Sequence, residues 1–300
     1  MPPPLAWEHD AIDWPHRAAS RFVQAAGLRW HVQQMGSGPV ALLIHGTGAS
    51  AHSWRGLMPL LAQRYTVVAM DLPGHAFTGA APKMMLSLPG MAQAVTALVA
   101  ALGLDVERII GHSAGAAIGA RIVLDGGMAP NALVAINGAF LPLAGLPGLL
   151  FPPVARLMAA TPLAPQLFAR RRWSPAAVEK LIAGTGSRLD AQGLALYGAL
   201  LRDPSHAAGA LGMMANWDLR TLAADLSRLA TPLTMIVGAN DRAVPPQDAE
   251  RVRRLLPASA WPASTIVRIH GAGHLVHEEL PGEVVDLLLP GPHHLLTPQL

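Results

Sequence analysis

The chain has 300 residues, 51% of them hydrophobic and none of them cysteine, which suits one large, well-buried α/β core and excludes a disordered chain, a disulfide scaffold and thiolate chemistry. Its 22 basic and 19 acidic residues leave a formal charge of +3, the basic ones are nearly all arginine, and the one dense basic run is Arg170-Arg171-Arg172, so no nucleic-acid partner is called for. Prolines and charges between Met1 and Asp13 replace the apolar run of a signal peptide, and the expected location is cytoplasmic.

Taken in chain order, Phe22 to Ala25 and Arg29 to Gln34 read as two short strands around Gly27, a hairpin at one edge of a sheet. A βα alternation follows: strand Val40 to Ile44, helix Ser53 to Gln63, strand Thr66 to Met70, helix Pro89 to Leu102, a strand within Val106 to Ile110, helix Ala114 to Leu124 and strand Ala132 to Ile136. Later come strand Leu233 to Val237, a helix around Asp248 to Leu256 and strand Thr265 to Ile269. Such alternation implies a mostly parallel sheet with helices on both faces and a site at the carboxyl ends of the strands.

Between Ile136 and Leu233 the alternation stops and Ala, Leu, Pro and Met dominate. This predicts a core in two parts, 1–136 and 231–290, with a helical lid over 137–230 and a tail over 291–300. Leu141 to Leu163 is the most apolar stretch, but Pro142, Pro147, Pro152, Pro153 and Arg156 interrupt it, which argues against a membrane-spanning helix and is compatible with peripheral membrane contact. From Asn137 to Val178 there is no acidic residue, while Arg156 and Arg170 to Arg172 are positive. A solvated arginine face explains this, and so does an anionic ligand or surface.

The chemistry is carried by residues at strand ends. Gly111-His112-Ser113-Ala114-Gly115 follows the apolar run into a helix and has the G-x-S-x-G form of a nucleophile elbow, which makes Ser113 a nucleophile candidate. A serine needs a base, and the base needs an acceptor to fix its tautomer. Asp241 stands in the turn after Leu233 to Val237, and His274 stands in Gly271-Ala272-Gly273-His274 after the last strand. The order Ser, Asp, His fits a triad of Ser113, Asp241 and His274. Backbone N–H groups of Ala114 and Thr47, the latter in His45-Gly46-Thr47-Gly48, are the expected oxyanion donors. His112 and His45 are read as packing residues. His270, His274 and His277 have a spacing reminiscent of zinc ligands, but Gly271 and Gly273 oppose the helix this would require, and no metal is expected.

Gly46-x-Gly48-x-x-Ala51, with Asp71 about twenty residues later, also satisfies a dinucleotide-binding pattern. The preceding hairpin and the Ser, Asp and His at later strand ends favour the triad, and no cofactor is expected.

The blocks from His45 to Ser50, Asp71-Leu72-Pro73-Gly74-His75, Gly111 to Ala116 and Gly271 to His274 resemble the α/β-hydrolase superfamily, which implies the α/β-hydrolase fold. Within it, Trp14 to Arg17, Gly27 to Gln33, His52 to Arg55, Met213 to Leu219 and His274 to Glu279 resemble the BchO-type hydrolases of bacteriochlorophyll biosynthesis, described as magnesium-chelatase accessory proteins. Ala76 departs from the glycine more usual there. The resemblance implies a role beside magnesium insertion into protoporphyrin IX, with magnesium-chelatase subunits and a tetrapyrrole as candidate partners. No G-x-x-x-x-G-K-[ST] loop is present, so the chain is not the ATP-driven motor of a chelatase. The expected reaction is cleavage of an ester-like bond in an apolar substrate, with Trp54, Phe140, Met158, Trp173, Met213, Met214 and Trp217 as candidate pocket residues. A non-enzymatic porphyrin-binding or chelatase-docking scaffold, and a general carboxylesterase or lactonase, are the alternative readings.

Overall fold

In a computed structural model, residues 4–142, 161, 164–171 and 173–289 are described. They form an eight-stranded sheet in the order β1-β2-β4-β3-β5-β6-β7-β8. Strands β1 (Ser20–Ala25) and β2 (Leu28–Met35) form the hairpin, and β2 runs antiparallel to β4 (Thr66–Met70). From there β3 (Val40–Ile44), β5 (Val106–His112), β6 (Ala132–Ile136), β7 (Leu233–Gly238) and β8 (Thr265–Ile269) are all parallel. Parallel strands need crossovers, so their carboxyl ends gather on one edge with the loops that follow them.

The period of two in each strand divides the apolar residues between two layers. Leu42 and Ile44 of β3 join one core with α3 (Leu88–Ala101) and α4 (Ala114–Leu124), while Ala41 and Leu43 join the other with α2 (Leu57–Leu61). A short helix α1 (Trp7–Asp10) precedes the sheet. Between β6 and β7 the described residues form α5 (Ala164–Arg170), α6 (Pro175–Gly184), α7 (Ala191–Arg202), α8 (Pro204–Asn216) and α9 (Arg220–Asp225), with no strand among them. The chain closes with α10 (Asp248–Leu255), α11 (Val276–Glu279) and α12 (Pro281–Leu288), whose Val284, Val285 and Leu288 cover the second core.

The expected helix over Ser53 to Gln63 is broken in two. Ala51–Trp54 forms a 3₁₀ turn, with the Ser50 side chain accepting the His52 N–H, and α2 begins only at Leu57. Gly56 sits at the break, where a Cβ would come within 3.0 Å of Pro281 Cγ, so the kink lets α12 approach closely. Among the described residues no helix is long and apolar enough to cross a membrane. Most of the stretch from Leu141 to Leu163, with Arg156 and Met158, lies outside the described residues, as do Arg172 and the expected tail over 291–300.

Candidate active site

Ser113 sits between β5 and α4 with φ 51° and ψ −116°, a conformation that L-residues rarely adopt. It is held there by bonds on both sides: its N–H donates to the Ile136 carbonyl, and its own carbonyl accepts from Ala116 and Ala139. The flanking glycines have a steric cause. A Cβ on Gly111 would overlap the backbone of Ala116, and one on Gly115 would overlap the Ile44 carbonyl. Small residues therefore let the turn close against β3 and leave Ser113 at the carboxyl edge of the sheet, where Ala114 opens α4 with its N–H in the first turn.

The loop after β3 packs on this turn. A Cβ on Gly46 would come within 2.9 Å of His112 Nδ1 and 3.0 Å of Ser113 Cβ. His45 pins the loop, since its Nδ1–H donates to the Gly46 carbonyl at 2.7 Å and its Nε2 accepts the Leu72 N–H at 2.9 Å. Burial, reinforced by His75, drives its pKa down to about 3, so the ring is neutral and both nitrogens are committed. Thr47 projects its hydroxyl to the sulfur of Met213 on α8 at 3.3 Å, which joins the loop to the inserted helices.

Asp241 and His274 meet directly, with His274 Nδ1 2.8 Å from Asp241 Oδ2. The other carboxylate oxygen of Asp241 accepts the N–H groups of Ala243 and Val244 at 2.7 and 2.9 Å. A helix-capping role alone does not describe it, because α10 begins later, after Gln247. Glycines permit the approach of the two turns: a Cβ on Gly238 would overlap the Gly273 carbonyl. The His274 ring lies 4.7 Å, centroid to centroid, from that of His112, the neighbour of Ser113. His112 is kept neutral, its pKa pushed well below the usual value by burial and then by His277 and His274. Its Nε2–H donates to the His274 carbonyl at 2.9 Å, so it serves as a prop for the His274 backbone.

Sequence reasoning missed Asn137, at the end of β6. Its side-chain NH₂ donates to the carbonyls of Gly273 and His274 at 2.9 and 2.7 Å, and its Oδ1 accepts the Gly238 N–H at 2.8 Å. One residue thus ties β6, β7 and the His274 loop together. The only signal in the sequence is an Asn-Gly pair at a strand end, and the φ of 46° shows why asparagine, tolerant of the left-handed region, stands there.

The other sequence candidates are spread through the molecule. Trp54 is fully buried in the second core, with its ring 4.6 Å from His277. Phe140 is in the first core and, with Val237 and Val244, borders a small cavity. Trp173 joins Ala49, Val178, Ile182, Tyr197 and Leu275 in an apolar cluster that spans the loop after β3, the residue after His274, and α6 and α7. Met213 is buried against Thr47, while Met214 and Trp217 are half-buried. Met158 lies outside the described residues.

Asp71 is fully committed inside the protein: its carboxylate accepts from His31 Nδ1 at 2.8 Å and from the N–H groups of Ala51 and Phe77. A ribose-binding acid needs a free carboxylate edge, so the dinucleotide pattern has a different, structural origin. The His274 and His277 rings both pack on His112, at 4.7 and 4.4 Å between centroids, and His274 Nδ1 is taken by Asp241. Among the described residues no group of three or more His, Asp or Glu side chains is placed to hold a metal ion.

The architecture is that of an α/β hydrolase. A family model described as the alpha/beta hydrolase family matches residues 41–287, and the chain belongs to that family. Over 282 residues it is 39% identical to the magnesium-chelatase 30 kDa subunit of Rhodobacter capsulatus, covering 92% of this chain and 96% of the relative. In fold it is similar to an alpha/beta hydrolase fold protein of Burkholderia ambifaria, with a TM-score of 0.73 at 24% identity over 90% of this chain and 97% of that one. It is also similar to an epoxide hydrolase of Vigna radiata, with a TM-score of 0.72 at 20% identity over 90% and 96% of the two chains.

Proposed function

We propose that this chain is a serine hydrolase acting on an ester-like bond of an apolar substrate, at or beside the magnesium-chelatase step of bacteriochlorophyll synthesis. The observation that carries the chemistry is the His274–Asp241 bond of 2.8 Å in a loop packed against the Ser113 turn. With its Nδ1–H given to Asp241, His274 keeps Nε2 as the base. Ser113 Oγ attacks the carbonyl carbon, its proton passes to His274 Nε2, and the carbonyl π electrons move onto oxygen, held by the N–H groups of Thr47 and Ala114. Collapse expels the leaving oxygen, which takes the proton from His274. Water repeats the sequence on the acyl-enzyme and restores Ser113. The apolar cluster linking Ala49, Trp173 and Leu275 supports an apolar substrate under the inserted helices. The relative from Rhodobacter capsulatus supports the pathway. A role in the cytoplasm or at a membrane surface belongs to the same proposal, with chelatase subunits as partners.

Labelling with a fluorophosphonate tests the reading. The wild-type protein should label at Ser113, and Ser113→Ala should abolish the signal while remaining folded. A folded wild-type chain that does not label would leave the scaffold reading, in which the inserted helices bind a porphyrin or a chelatase subunit. The exposed Arg170 and Arg171 on the acid-free stretch are the observation in its favour.

A further inference from the structure

The turn between α6 and α7 is bonded to both halves of the Asp241–His274 pair. The Thr185 carbonyl accepts from the N–H of Arg242, next to Asp241, at 3.1 Å and from the N–H of His274 itself at 3.4 Å. Ser187, almost wholly buried, accepts the Leu275 N–H on its hydroxyl at 2.8 Å. The Glu279 carboxylate then joins the two segments, taking the Gly273 N–H at 2.9 Å on one oxygen and the Arg188 N–H at 3.0 Å on the other. The backbones are in contact: a Cβ on Gly186, whose φ is +86°, would overlap the Asn240 carbonyl, and one on Gly273 would overlap Gly186.

A second set of contacts anchors α7 behind this turn. Glu278 is buried and accepts from Tyr197 of α7 at 2.8 Å and from Arg55 of the segment after β3, while Arg55 also reaches Asp190, which caps α7, at 3.2 Å. The inserted helices are therefore fastened beside His274 on both sides, through Glu278 and through Glu279. A histidine that must hold one tautomer while its other nitrogen faces the nucleophile depends on a fixed backbone as well as on its carboxylate partner.

We propose that Ser187 and Glu279 are positioning residues, through which the inserted helices hold Asp241 and His274 in register with Ser113. The proposal rests on the hydrolase reading for its consequence in catalysis, while the positioning itself is a property of the His274–Asp241 bond. On this view the insertion is part of the catalytic frame, and displacing the Thr185–Arg188 turn loosens the acid–base pair.

The His274 Nδ1 proton, bonded to Asp241, should give a downfield proton resonance, and its exchange with water can be measured in the full-length chain. Ser187→Ala and Glu279→Gln should each speed that exchange about tenfold and slow fluorophosphonate labelling by a similar factor, since each loses one hydrogen bond to the His274 loop or its anchor, worth about a factor of ten. Val99→Ala, which thins the first core on α3 away from these bonds, should leave exchange unchanged and serves as the control for a general loss of stability. Tyr197→Phe provides a milder variant in which the anchor alone is weakened, and it should raise the exchange rate to a smaller degree. Wild-type exchange in both Ser187→Ala and Glu279→Gln would overturn the proposal, as would an equal rise in Val99→Ala. Faster exchange in the two variants of a wild-type chain that never labels would uphold the positioning and remove the hydrolase reading instead.

Discussion

Two serine–histidine–aspartate constellations occur in this molecule, and the comparison between them shows what a triad needs beyond its hydrogen bonds. In the hairpin region Ser20 Oγ lies 3.0 Å from His31 Nε2, and His31 Nδ1 lies 2.8 Å from Asp71 Oδ2, a complete bonded chain. At the strand ends the His274–Asp241 bond is also 2.8 Å. The surroundings differ. The His31 and Asp71 side chains are both 0% exposed, whereas His274 retains 10%. Ser20 has an ordinary extended backbone, with φ −89° and ψ 141°, and its oxygen accepts from Gln33 Nε2 at 3.1 Å. Ser113 instead is held at φ 51° in front of the first turn of a helix and beside a glycine loop. On the proposed function, strain at the serine, N–H donors where charge would develop and access from outside are what set Ser113 apart, while the Ser20–His31–Asp71 chain is a buried strut.

Substituting the two aspartates by asparagine separates the regions, with the largest effect at Asp241. There the asparagine oxygen can keep the Ala243 and Val244 N–H groups, and its NH₂ then faces His274 Nδ1. The ring answers by moving its proton to Nε2, which satisfies the hydrogen bond and removes the base. Asp241→Asn should thus lower the rate of ester cleavage or labelling by about 10⁴-fold with little loss of thermal stability. A loss of less than about tenfold would take Asp241 out of the proposed triad.

Asp71→Asn should do the reverse. Its carboxylate gathers three donors, Ala51 N–H on one oxygen and His31 Nδ1–H and Phe77 N–H on the other. An amide has one acceptor atom for these and presents N–H to the rest, all without water. Burial alone would raise the Asp71 pKa, but His31 and the Ala51 N–H outweigh it and hold the group low, so the charged form is the folded one. Breaking such a buried pair costs about 3–5 kcal/mol. Chemical denaturation should show this loss, and the labelling rate of the protein that remains folded should match wild type.

The contrast also has a pH signature, smaller for each group and cumulative. Burial lowers His45, His75 and His277 to about 3 and His206 to about 4, and it pushes His52 and His112 well below their ordinary value. Between these values and about 6.5 the unfolded chain binds protons that the folded chain refuses. The stability they supply is full above about pH 6.5 and is lost as pH falls toward 4. Glu278, raised to about 7 by burial against the opposing pull of Arg55, works in the other sense, its contribution falling as pH rises from about 4.5 to 7. Six histidines against one glutamate give a melting temperature that drops steeply on acidification from pH 6.5. A flat profile over that range would contradict the neutral, buried state of these rings.

The legibility of the two regions from sequence differs for the same physical reason. Strands β3, β4, β6 and β8 and helix α4 have the expected limits, because each is fixed by local apolar periodicity. Ser113, Asp241 and His274 could be named because each follows such a strand in a glycine-rich turn. Asn137, Ser187 and the Ser20–His31–Asp71 chain could not, because their roles are bonds to groups 40 or more residues away in several cases and leave no local pattern. Asp71 shows the hazard: its spacing from Gly46 suggested a ligand contact, and only the fold reveals that Ala51, Phe77 and His31 have already taken its oxygens.

The smallest expected effect is the most discriminating for that comparison. Ser20 Oγ lies in hydrogen-bond contact with His31 Nε2, accepts from Gln33 Nε2 and donates to the His16 carbonyl at 3.5 Å, so Ser20→Ala removes one partner from each. Ser20 is only half-buried, and water can replace part of what is lost, which limits the cost to about 1 kcal/mol. For a chain of this size that is a fall of about 2–4 °C in melting temperature. Ser113 labelling should proceed at the wild-type rate, since the bonds of Ser20 run to His16, His31 and Gln33 rather than to Ser113, Asp241 or His274. If labelling slowed, or if Ser20 itself took up the fluorophosphonate, the hairpin constellation would be reactive, and strain, N–H donors and access would not be what separates a catalytic serine from a structural one.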